Sequence, residues 1–296
     1  MNILLTGGTG IIGNALTRHL IDKGYKVRIL TREVDVEPPF YTWNSSQVDE
    51  SVFDDLDGII HLAGAPLMNK WTDKYKKQII SSRVNTANLL FKYIKEKNLK
   101  LKFFISASGS SFYGQKTSGL IFKEEDKVGT DFLADVCEKW EAAANQFKNL
   151  NAKVVCIRTP LVLAKEADSF KLMKFPTALG LGACLGTGKQ WTTWIHINDL
   201  CRVYTAAIED DELNGPINAV ATEQITHHTF MHSLAKALNK PLFLPNIPSF
   251  LVRIGMGEKA DLILEGSRLS NQKIVNTGFK FQFDSLDEVW KDFFYK

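Results

Sequence analysis

A glycine-rich turn between two short apolar segments is the feature that most restricts the fold of this chain. Residues 2–5 ("NILL") form an apolar run, "TGGTGIIG" follows at residues 6–13, and "YKVRIL" at residues 25–30 is again mainly apolar. Between them, hydrophobic residues recur at helical spacing until Gly24, a residue type favoured just beyond a helix C-terminus. The pattern predicts strand, turn, helix and strand, the first unit of a parallel sheet.

The same alternation of strand and helix continues through the first half of the chain. Further strands are predicted at "FYTW" (40–43), "GIIHLAGAP" (58–66), "KFFISAS" (102–108) and "AKVVCIRT" (152–159), with helices at 73–95 and 131–147. Unbroken apolar strands are typical of a parallel sheet that is covered on both faces. We therefore predict an α/β fold with a Rossmann-type doubly wound parallel sheet.

The glycines have the spacing of a dinucleotide-binding turn. A predicted strand and a predicted helix enclose the residues that satisfy GxGxxG and GxxGxxG, namely Gly7, Gly8, Gly10 and Gly13. Glycine permits a tight turn and the close approach of backbone N–H groups to a pyrophosphate. The second strand ends in Thr31 and Arg32 and lacks the carboxylate that usually binds the ribose of NAD. A hydroxyl and a guanidinium suit a 2′-phosphate, so the predicted cofactor is NADP.

Regular alternation ends after Leu163. A glycine-rich loop follows at residues 179–190, and a strand and helix return only briefly at "WIHINDL" and "PINAVA". We expect residues 1–164, rejoined by residues 191–221, to form the NADP-binding Rossmann domain. Residues 165–190 and 222–296 should form a small substrate lobe that caps the carboxyl ends of the strands.

Composition excludes several other classes of protein. A net charge of +3 on 296 residues argues against nucleic acid or a membrane surface as a partner. The four cysteines form no CxxC pair, and no apolar run reaches membrane-spanning length. His228 and His232 lack a third ligand, so we predict no metal site. No signal peptide precedes the first strand, and we expect a cytoplasmic protein.

Several motifs resemble one protein family. Besides the glycine turn they are "HLAG" (61–64), "NKWTDKYKKQIISSR" (69–83), "SASGSSFYG" (106–114), "VCEKWEAAA" (136–144) and "EGSRLSNQKIVNTGFKF" (265–281). With them the chain resembles the extended short-chain dehydrogenase/reductases, and among these the atypical "epimerase family" subgroup of nucleotide-sugar-epimerase-like proteins. The subgroup has no generally established substrate, so the resemblance bears on fold and cofactor more than on reaction.

The resemblance implies where NADP would contact the chain. The pyrophosphate would lie against Thr9, Gly10, Ile11 and Ile12, and the 2′-phosphate against Thr31 and Arg32. The other cofactor contacts would be Leu62, Ala63, Gln78, Arg83, Ser106 and Leu161, with Leu161 next to the nicotinamide. Each of these contacts has a structural alternative. Leu62 could belong only to the core, Arg83 could form a surface salt bridge, and Arg32 could be a surface cation at a strand end.

The resemblance also implies a catalytic serine and a Tyr–Lys pair, and here the chain departs from the family. Ser108 falls at the serine position, with Ser106 and Ser110 as competitors. In the family pair, the lysine lowers the pKa of the tyrosine so that the phenol can exchange a proton. In this chain the two positions fall near Cys137 and Glu141.

The two replacements change the expected chemistry. Glu141 would raise the pKa of the Cys137 thiol, which is the opposite of what a lysine does. We expect Cys137 to pack against the sheet and Glu141 to be solvated, with any proton transfer through Ser108, a substrate group or Cys137.

The sequence as a whole predicts an NADP(H)-binding oxidoreductase or epimerase-like enzyme that lacks the usual Tyr–Lys pair. The alternative is a non-catalytic NADP(H)-binding redox sensor or regulatory protein. The expected partners are an unidentified small-molecule substrate and a second copy of the chain in a homodimer.

Overall fold

Strands and helices alternate along most of the chain. The structure, a computed structural model, describes residues 1–44 and 47–295. The strands are β1 (Asn2–Thr6), β2 (Lys26–Thr31), β3 (Phe40–Thr42), β4 (Gly58–His61), β5 (Phe103–Gly109), β6 (Ile121–Phe122), β7 (Lys153–Thr159), β8 (Leu161–Leu163), β9 (Trp191–Thr192), β10 (Trp194–His196), β11 (Gly215–Asn218), β12 (Ile225–Thr226) and β13 (Arg268–Leu269). The helices are α1 (Ile11–Asp22), α2 (Asp73–Glu96), α3 (Phe132–Asn145), α4 (Asp168–Ala178), α5 (Ile197–Glu209), α6 (His227–Ala237), α7 (Ser249–Met256), α8 (Asp261–Leu264), α9 (Gln272–Val275) and α10 (Leu286–Phe294).

A parallel sheet of seven strands forms the centre of the described structure. Its order is β3-β2-β1-β4-β5-β7-β11, and every pairing in it is parallel. The chain runs outward from β1 to β3 and then returns to β4 on the other side of β1. This reversal is the mark of a doubly wound sheet, and it leaves a crevice at the carboxyl ends of β1 and β4. The predicted α/β Rossmann-type fold is confirmed.

Helices cover both faces of this sheet. On one face, Leu16 and Leu20 of α1 and Leu200 and Tyr204 of α5 pack on side chains of the central strands. On the other face, α2 and α3 pack around Phe104 and Phe147, whose rings stack with centroids 3.7 Å apart. The two apolar layers explain why the central strands read as unbroken apolar runs.

A third apolar cluster lies among α4, α6 and α10. Phe170, Phe230 and Trp290 are fully or almost fully buried there, together with Leu163 and Trp194. The cluster therefore joins residues on both sides of the predicted domain boundaries, and the predicted division into domain and lobe stays a prediction. Within the described ranges, no helix has the length and apolar character needed to cross a membrane.

Candidate cofactor and active site

The crevice is formed by segments that leave the sheet at the same edge. β1, β4 and β5 are parallel neighbours, so their carboxyl ends lie side by side. The glycine turn follows β1, Leu62 and Ala63 follow β4, and Ser108 lies near the end of β5. Ligands of doubly wound sheets bind at this position.

The glycine turn brings backbone into very close contact. Gly7 has φ of 73°, and a Cβ there would lie 2.8 Å from the carbonyl carbon of Leu62. A Cβ on Gly13 would lie 2.3 Å from the carbonyl oxygen of Gly7. Helix α1 begins at Ile11 without a side-chain cap, so its first N–H groups are open to an anion. Thr9, Gly10 and Ile11 are exposed at this turn and Ile12 is half-buried, so the geometry fits a pyrophosphate.

The end of β2 presents one cation to solvent. Thr31 is buried, and its Oγ1 accepts a hydrogen bond from Glu33 N over 3.2 Å. Arg32 is exposed and forms no ion pair with another residue in the described part of the chain. The guanidinium therefore stands at the carboxyl edge of the sheet with its donors available to a ligand phosphate.

A directed chain of hydrogen bonds fixes the turn after β4. Ala63 N donates to Thr6 Oγ1 over 3.2 Å, and His61 Nε2 lies 3.0 Å from the carbonyl oxygen of Arg83. A carbonyl only accepts, so Nε2 carries the proton and Nδ1 accepts from Thr6 Oγ1 over 2.8 Å. Burial lowers the pKa of His61 to about 4, so the ring is neutral. Leu62 and Ala63 are half-buried beside it, and Leu62 also packs against the apolar core.

The two α2 residues face different environments. Gln78 is exposed, whereas Arg83 is only 7% exposed and donates to the carbonyl oxygens of Ile79 and Ala65. They are five positions apart, so they point to different sides of the helix and the structure does not bring them together. The alternative of a surface salt bridge for Arg83 is wrong. Its guanidinium stacks 4.8 Å from the Trp140 ring, and its Nε is buried without a hydrogen-bond partner among the described residues.

The serines at the end of β5 have different partners. Ser106 is fully buried, and its Oγ donates to the carbonyl oxygen of Ala107 over 2.9 Å. Ser108 is 4% exposed, and its Oγ donates to Glu141 Oε1 over 2.7 Å. Ser110 is half-buried in the following 3-10 helix. Ser108 is thus the one of the three with a hydrogen bond to α3 among the described residues.

The expectation that Glu141 is solvated is wrong. Glu141 is 7% exposed and accepts two hydrogen bonds from Arg158, at 2.8 Å to Oε1 and 2.9 Å to Oε2. A carboxylate can be buried at this position because the guanidinium neutralises it. Burial by itself would lower the pKa of Arg158, but the hydrogen bonds to Glu141 raise it above its ordinary value.

Cys137 packs in the interior, as expected. It is 5% exposed, and a Cβ on Gly109 would lie 3.3 Å from its Sγ. Burial, with a smaller contribution from Glu141, raises the pKa of the thiol to about 12. The thiol is therefore protonated at neutral pH and a weak acid.

Arg158 extends this ion pair into a larger buried network that the sequence analysis missed. Its Nη1 donates to the Tyr113 hydroxyl over 2.8 Å and to the carbonyl oxygen of Glu124 over 3.0 Å. The Tyr113 hydroxyl in turn donates to Asn218 Oδ1 over 2.7 Å, and burial raises the pKa of Tyr113 to about 12. A signal was present, because an arginine within the apolar strand "VVCIRT" requires a buried acceptor.

The remaining candidates form no hydrogen bond with this network among the described residues. Leu161 is half-buried at the start of β8, and its N donates to the carbonyl oxygen of Thr193 over 3.2 Å. His228 and His232 are exposed on α6 with ring centroids 4.2 Å apart. Among the described residues, no three His, Cys, Asp or Glu side chains are grouped so that they could hold a metal ion.

Two protein-family models match this chain. A family model described as the NAD dependent epimerase/dehydratase family matches residues 3–219. A second model, described as a domain of unknown function (DUF1731), matches residues 247–293. The two matches together cover most of the chain.

Full-length relatives and a solved structure agree with these matches. The epimerase family protein SDR39U1 of mouse is 33% identical over 297 residues, which cover 99% of this chain and 99% of the relative. An epimerase family protein of Staphylococcus aureus (strain MRSA252) is 30% identical over 293 residues, which cover 98% of this chain and 97% of the relative. The crystal structure of human SDR39U1 (isoform 2) with NADPH superposes with a TM-score of 0.89 at 30% identity, covering 99% of both chains.

Proposed function

Because the chain belongs to the NAD-dependent epimerase/dehydratase family, we propose that it is an NADP(H)-binding enzyme with oxidoreductase or epimerase-like chemistry. The crystal structure of the human relative contains NADPH. The single observation that carries the proposal is the pairing of two features at one edge of the sheet. These are the glycine turn after β1, where a Cβ on Gly7 or Gly13 would collide with backbone, and the exposed Arg32 at the end of the neighbouring strand β2.

Each part of the cofactor has a matching environment in this chain. The N–H groups at the start of α1 suit the pyrophosphate, with Thr9, Ile11 and Ile12 around it. Thr31 and Arg32 suit the 2′-phosphate, while Leu62 and Ala63 would border the adenosine and ribose. The unpartnered buried N–H of Arg83 suits a ligand oxygen. When bound, the cofactor supplies the hydride donor or acceptor, and Leu161 would border its nicotinamide.

A titration with both nucleotides tests the cofactor assignment. We expect wild type to bind NADPH more tightly than NADH, and Arg32→Ala to lose about tenfold or more of its NADPH affinity. NADH affinity should change little, because NADH has no 2′-phosphate for the guanidinium to bind. Lys26→Ala is the matched control, since it removes an exposed cation at the opposite end of the same strand. Equal affinity of wild type for both nucleotides, or an unchanged preference in Arg32→Ala, would refute the assignment.

One observation favours the alternative, a non-catalytic NADP(H)-binding sensor or regulatory protein. The Tyr113 proton is donated to Asn218, the Ser108 proton is donated to Glu141, and the Cys137 thiol has a pKa of about 12. These groups therefore offer no ready proton donor of the kind that the family pair provides.

Turnover measurements separate the enzyme from the sensor. A panel of aldehydes and ketones with NADPH, and of alcohols with NADP⁺, should give turnover if the protein is an enzyme. On any substrate found, Ser108→Ala and Cys137→Ala are compared with wild type, and we expect Ser108→Ala to have the larger effect. Cofactor binding without turnover on the whole panel would favour the sensor. Turnover that only Tyr113→Phe abolishes would show that the proton donor is Tyr113.

A further inference from the structure

The direction of one hydrogen bond in the active site is fixed by a buried ion pair. Ser108 and Arg158 are directly opposite each other on β5 and β7, and Glu141 of α3 reaches both side chains. Arg158 donates to both carboxylate oxygens of Glu141, so the group is held as an ionised acceptor. The proton between Ser108 and Glu141 therefore belongs to the serine and points toward Glu141 Oε1.

We infer that Glu141 is a positioning residue that makes Ser108 a hydrogen-bond acceptor toward the ligand, so that this subsite takes a hydroxyl in preference to a carbonyl. The inference rests on the proposed function, because it assigns the ligand of the same crevice. It goes further by stating the chemical class of the group that faces Ser108.

The acceptor capacity of Ser108 supports this assignment. A serine oxygen has two lone pairs besides its own proton. Within residues 1–44 and 47–295, no group donates a hydrogen bond to Ser108 Oγ, whose one side-chain hydrogen bond is the one it donates to Glu141. Its lone pairs therefore remain for a ligand donor, and a hydroxyl supplies one.

A carbonyl ligand meets the opposite situation. It has no proton, so it needs Ser108 to donate. Ser108 can do so only by turning its proton away from an ionised carboxylate, and bonds of that kind are about twice as strong as bonds between neutral groups. With only 4% of Ser108 and 7% of Glu141 exposed, water gives Glu141 little replacement for the lost donor.

Tyr113 does not supply the proton donor that a carbonyl ligand would need. Its hydroxyl accepts from Arg158 and donates to Asn218, so the same arginine fixes both protons. The Asn218 amide is itself held in orientation, because its Nδ2 donates to the carbonyl oxygen of Ser270 over 3.0 Å.

Neutron diffraction of the wild-type protein in D₂O tests the hydrogen-bond direction. We expect the deuteron of Ser108 Oγ to lie on the line to Glu141 Oε1, with no deuteron on Glu141. A Ser108 deuteron that points into the crevice, or a protonated Glu141, would overturn the inference without any variant.

Binding of a matched pair of probes tests the selectivity. Cyclohexanol and cyclohexanone have nearly the same shape, and their binding is followed through the backbone amide signals of residues 107–109. The affinities of the two probes are first compared in the cofactor-free protein. They are then measured again with bound cofactor, cyclohexanol with NADPH and cyclohexanone with NADP⁺, because neither of these pairs can react. We expect cyclohexanol to bind about threefold to tenfold more tightly, the worth of one neutral hydrogen bond. Equal binding, tighter binding of the ketone, or no response of these amides to either probe would contradict the inference.

Variants separate a positioning role from a structural one. Ser108→Ala should bring the ratio of the two affinities to about one, and Glu141→Gln should reduce it, because a neutral amide no longer requires the serine to donate. Glu138→Gln, an exposed glutamate on the same helix, is the control and should keep the wild-type ratio. If Glu141→Gln does not fold, wild type and Ser108→Ala still decide the matter. NADPH titration of the same samples is the separate readout for the proposed function. If NADPH binds but cyclohexanol is not preferred over cyclohexanone, this inference is refuted and the proposed function is not.

Discussion

At the scale of single residues, His61 forms two buried hydrogen bonds that connect separate parts of the fold. Its ring accepts from Thr6 and donates to the carbonyl oxygen of Arg83, and Thr6 in turn holds Ala63. The imidazole therefore ties the end of β1, the turn after β4 and helix α2 together. Only the neutral ε-tautomer fits this set of partners.

Replacing His61 should change both stability and its dependence on pH. His61→Phe fills similar space but leaves the buried hydroxyl proton of Thr6 without its acceptor and removes the side-chain hydrogen bond to the carbonyl oxygen of Arg83. We expect a loss of about 2 kcal/mol in the free energy of unfolding at pH 7, measured by urea denaturation. A loss below about 0.5 kcal/mol would show that the hydrogen-bond chain adds little to the fold.

The pH dependence follows from the lowered pKa of His61. The folded value of about 4 is below the ordinary value of 6.5, so as pH falls from 6.5 the unfolded state takes up the proton first. The stabilisation is therefore complete above pH 6.5 and is lost as pH falls toward 4, by up to about 1.4 kcal/mol per pH unit. Between pH 6.5 and 5 we expect a shallower slope in His61→Phe than in wild type. Burial also lowers the pKa of His227 to about 4, so part of the pH dependence of stability should remain in His61→Phe. Parallel curves of stability against pH for the two proteins would contradict the prediction.

Some residues of the candidate site could be proposed from the sequence, and others could not. The glycine turn and Arg32 could be proposed as cofactor contacts because such a role depends on backbone shape and charge, which follow directly from the residue types. The partner of Glu141 was missed because it lies on another strand, and nothing local in "VCEKWEAAA" distinguishes a buried glutamate from a solvated one. That partner, Arg158, becomes apparent only when β5, β7 and α3 are brought together.

At the scale of elements, α5 anchors the C-terminal segment to the sheet. Asp199 in its first turn is fully buried and accepts hydrogen bonds from Gln282 N and Phe283 N, at 2.8 to 3.0 Å. Arg202, one turn later, pairs with the same carboxylate at 2.6 Å. A carboxylate in a first turn is also favoured by the helix dipole.

Removing this anchor should destabilise the whole protein. For Asp199→Ala we expect a loss of about 3 kcal/mol or more in the free energy of unfolding, because two backbone N–H groups and a cation lose their buried partner. Asp211→Ala is the control, since that side chain is 99% exposed just beyond the same helix, and it should change stability by less than about 0.5 kcal/mol. Similar losses in the two variants, measured by thermal unfolding, would rule out an anchoring role for Asp199.

Long elements were predictable, whereas several of the short ones were not. Helix α2 was predicted at 73–95 and occupies Asp73–Glu96, because a long periodic segment carries its own signal. Strands β8, β9 and β12 were not predicted; they have two or three residues each and pair with partners that are distant in sequence, such as Leu161 beside Trp194. Such pairings have no local periodicity from which they could be inferred.

At the scale of the whole molecule, the third apolar cluster connects the predicted domain and lobe. Leu163 and Trp194 come from the Rossmann part, and Phe230 and Trp290 come from the predicted lobe. We therefore expect one cooperative unfolding transition in calorimetry, with a calorimetric enthalpy equal to the van't Hoff enthalpy. Two resolved transitions, or a lobe that unfolds first while the sheet stays protected in hydrogen exchange, would contradict this prediction.

The burial of every cysteine has a practical consequence for chemical labelling. Cys137, Cys156, Cys184 and Cys201 are free and buried, and burial raises the pKa of each thiol. Alkylating reagents attack the thiolate of accessible cysteines, so the native protein should react slowly with maleimide. A single exposed cysteine, for example in Lys26→Cys, should then accept a fluorophore selectively while all four native cysteines remain in place.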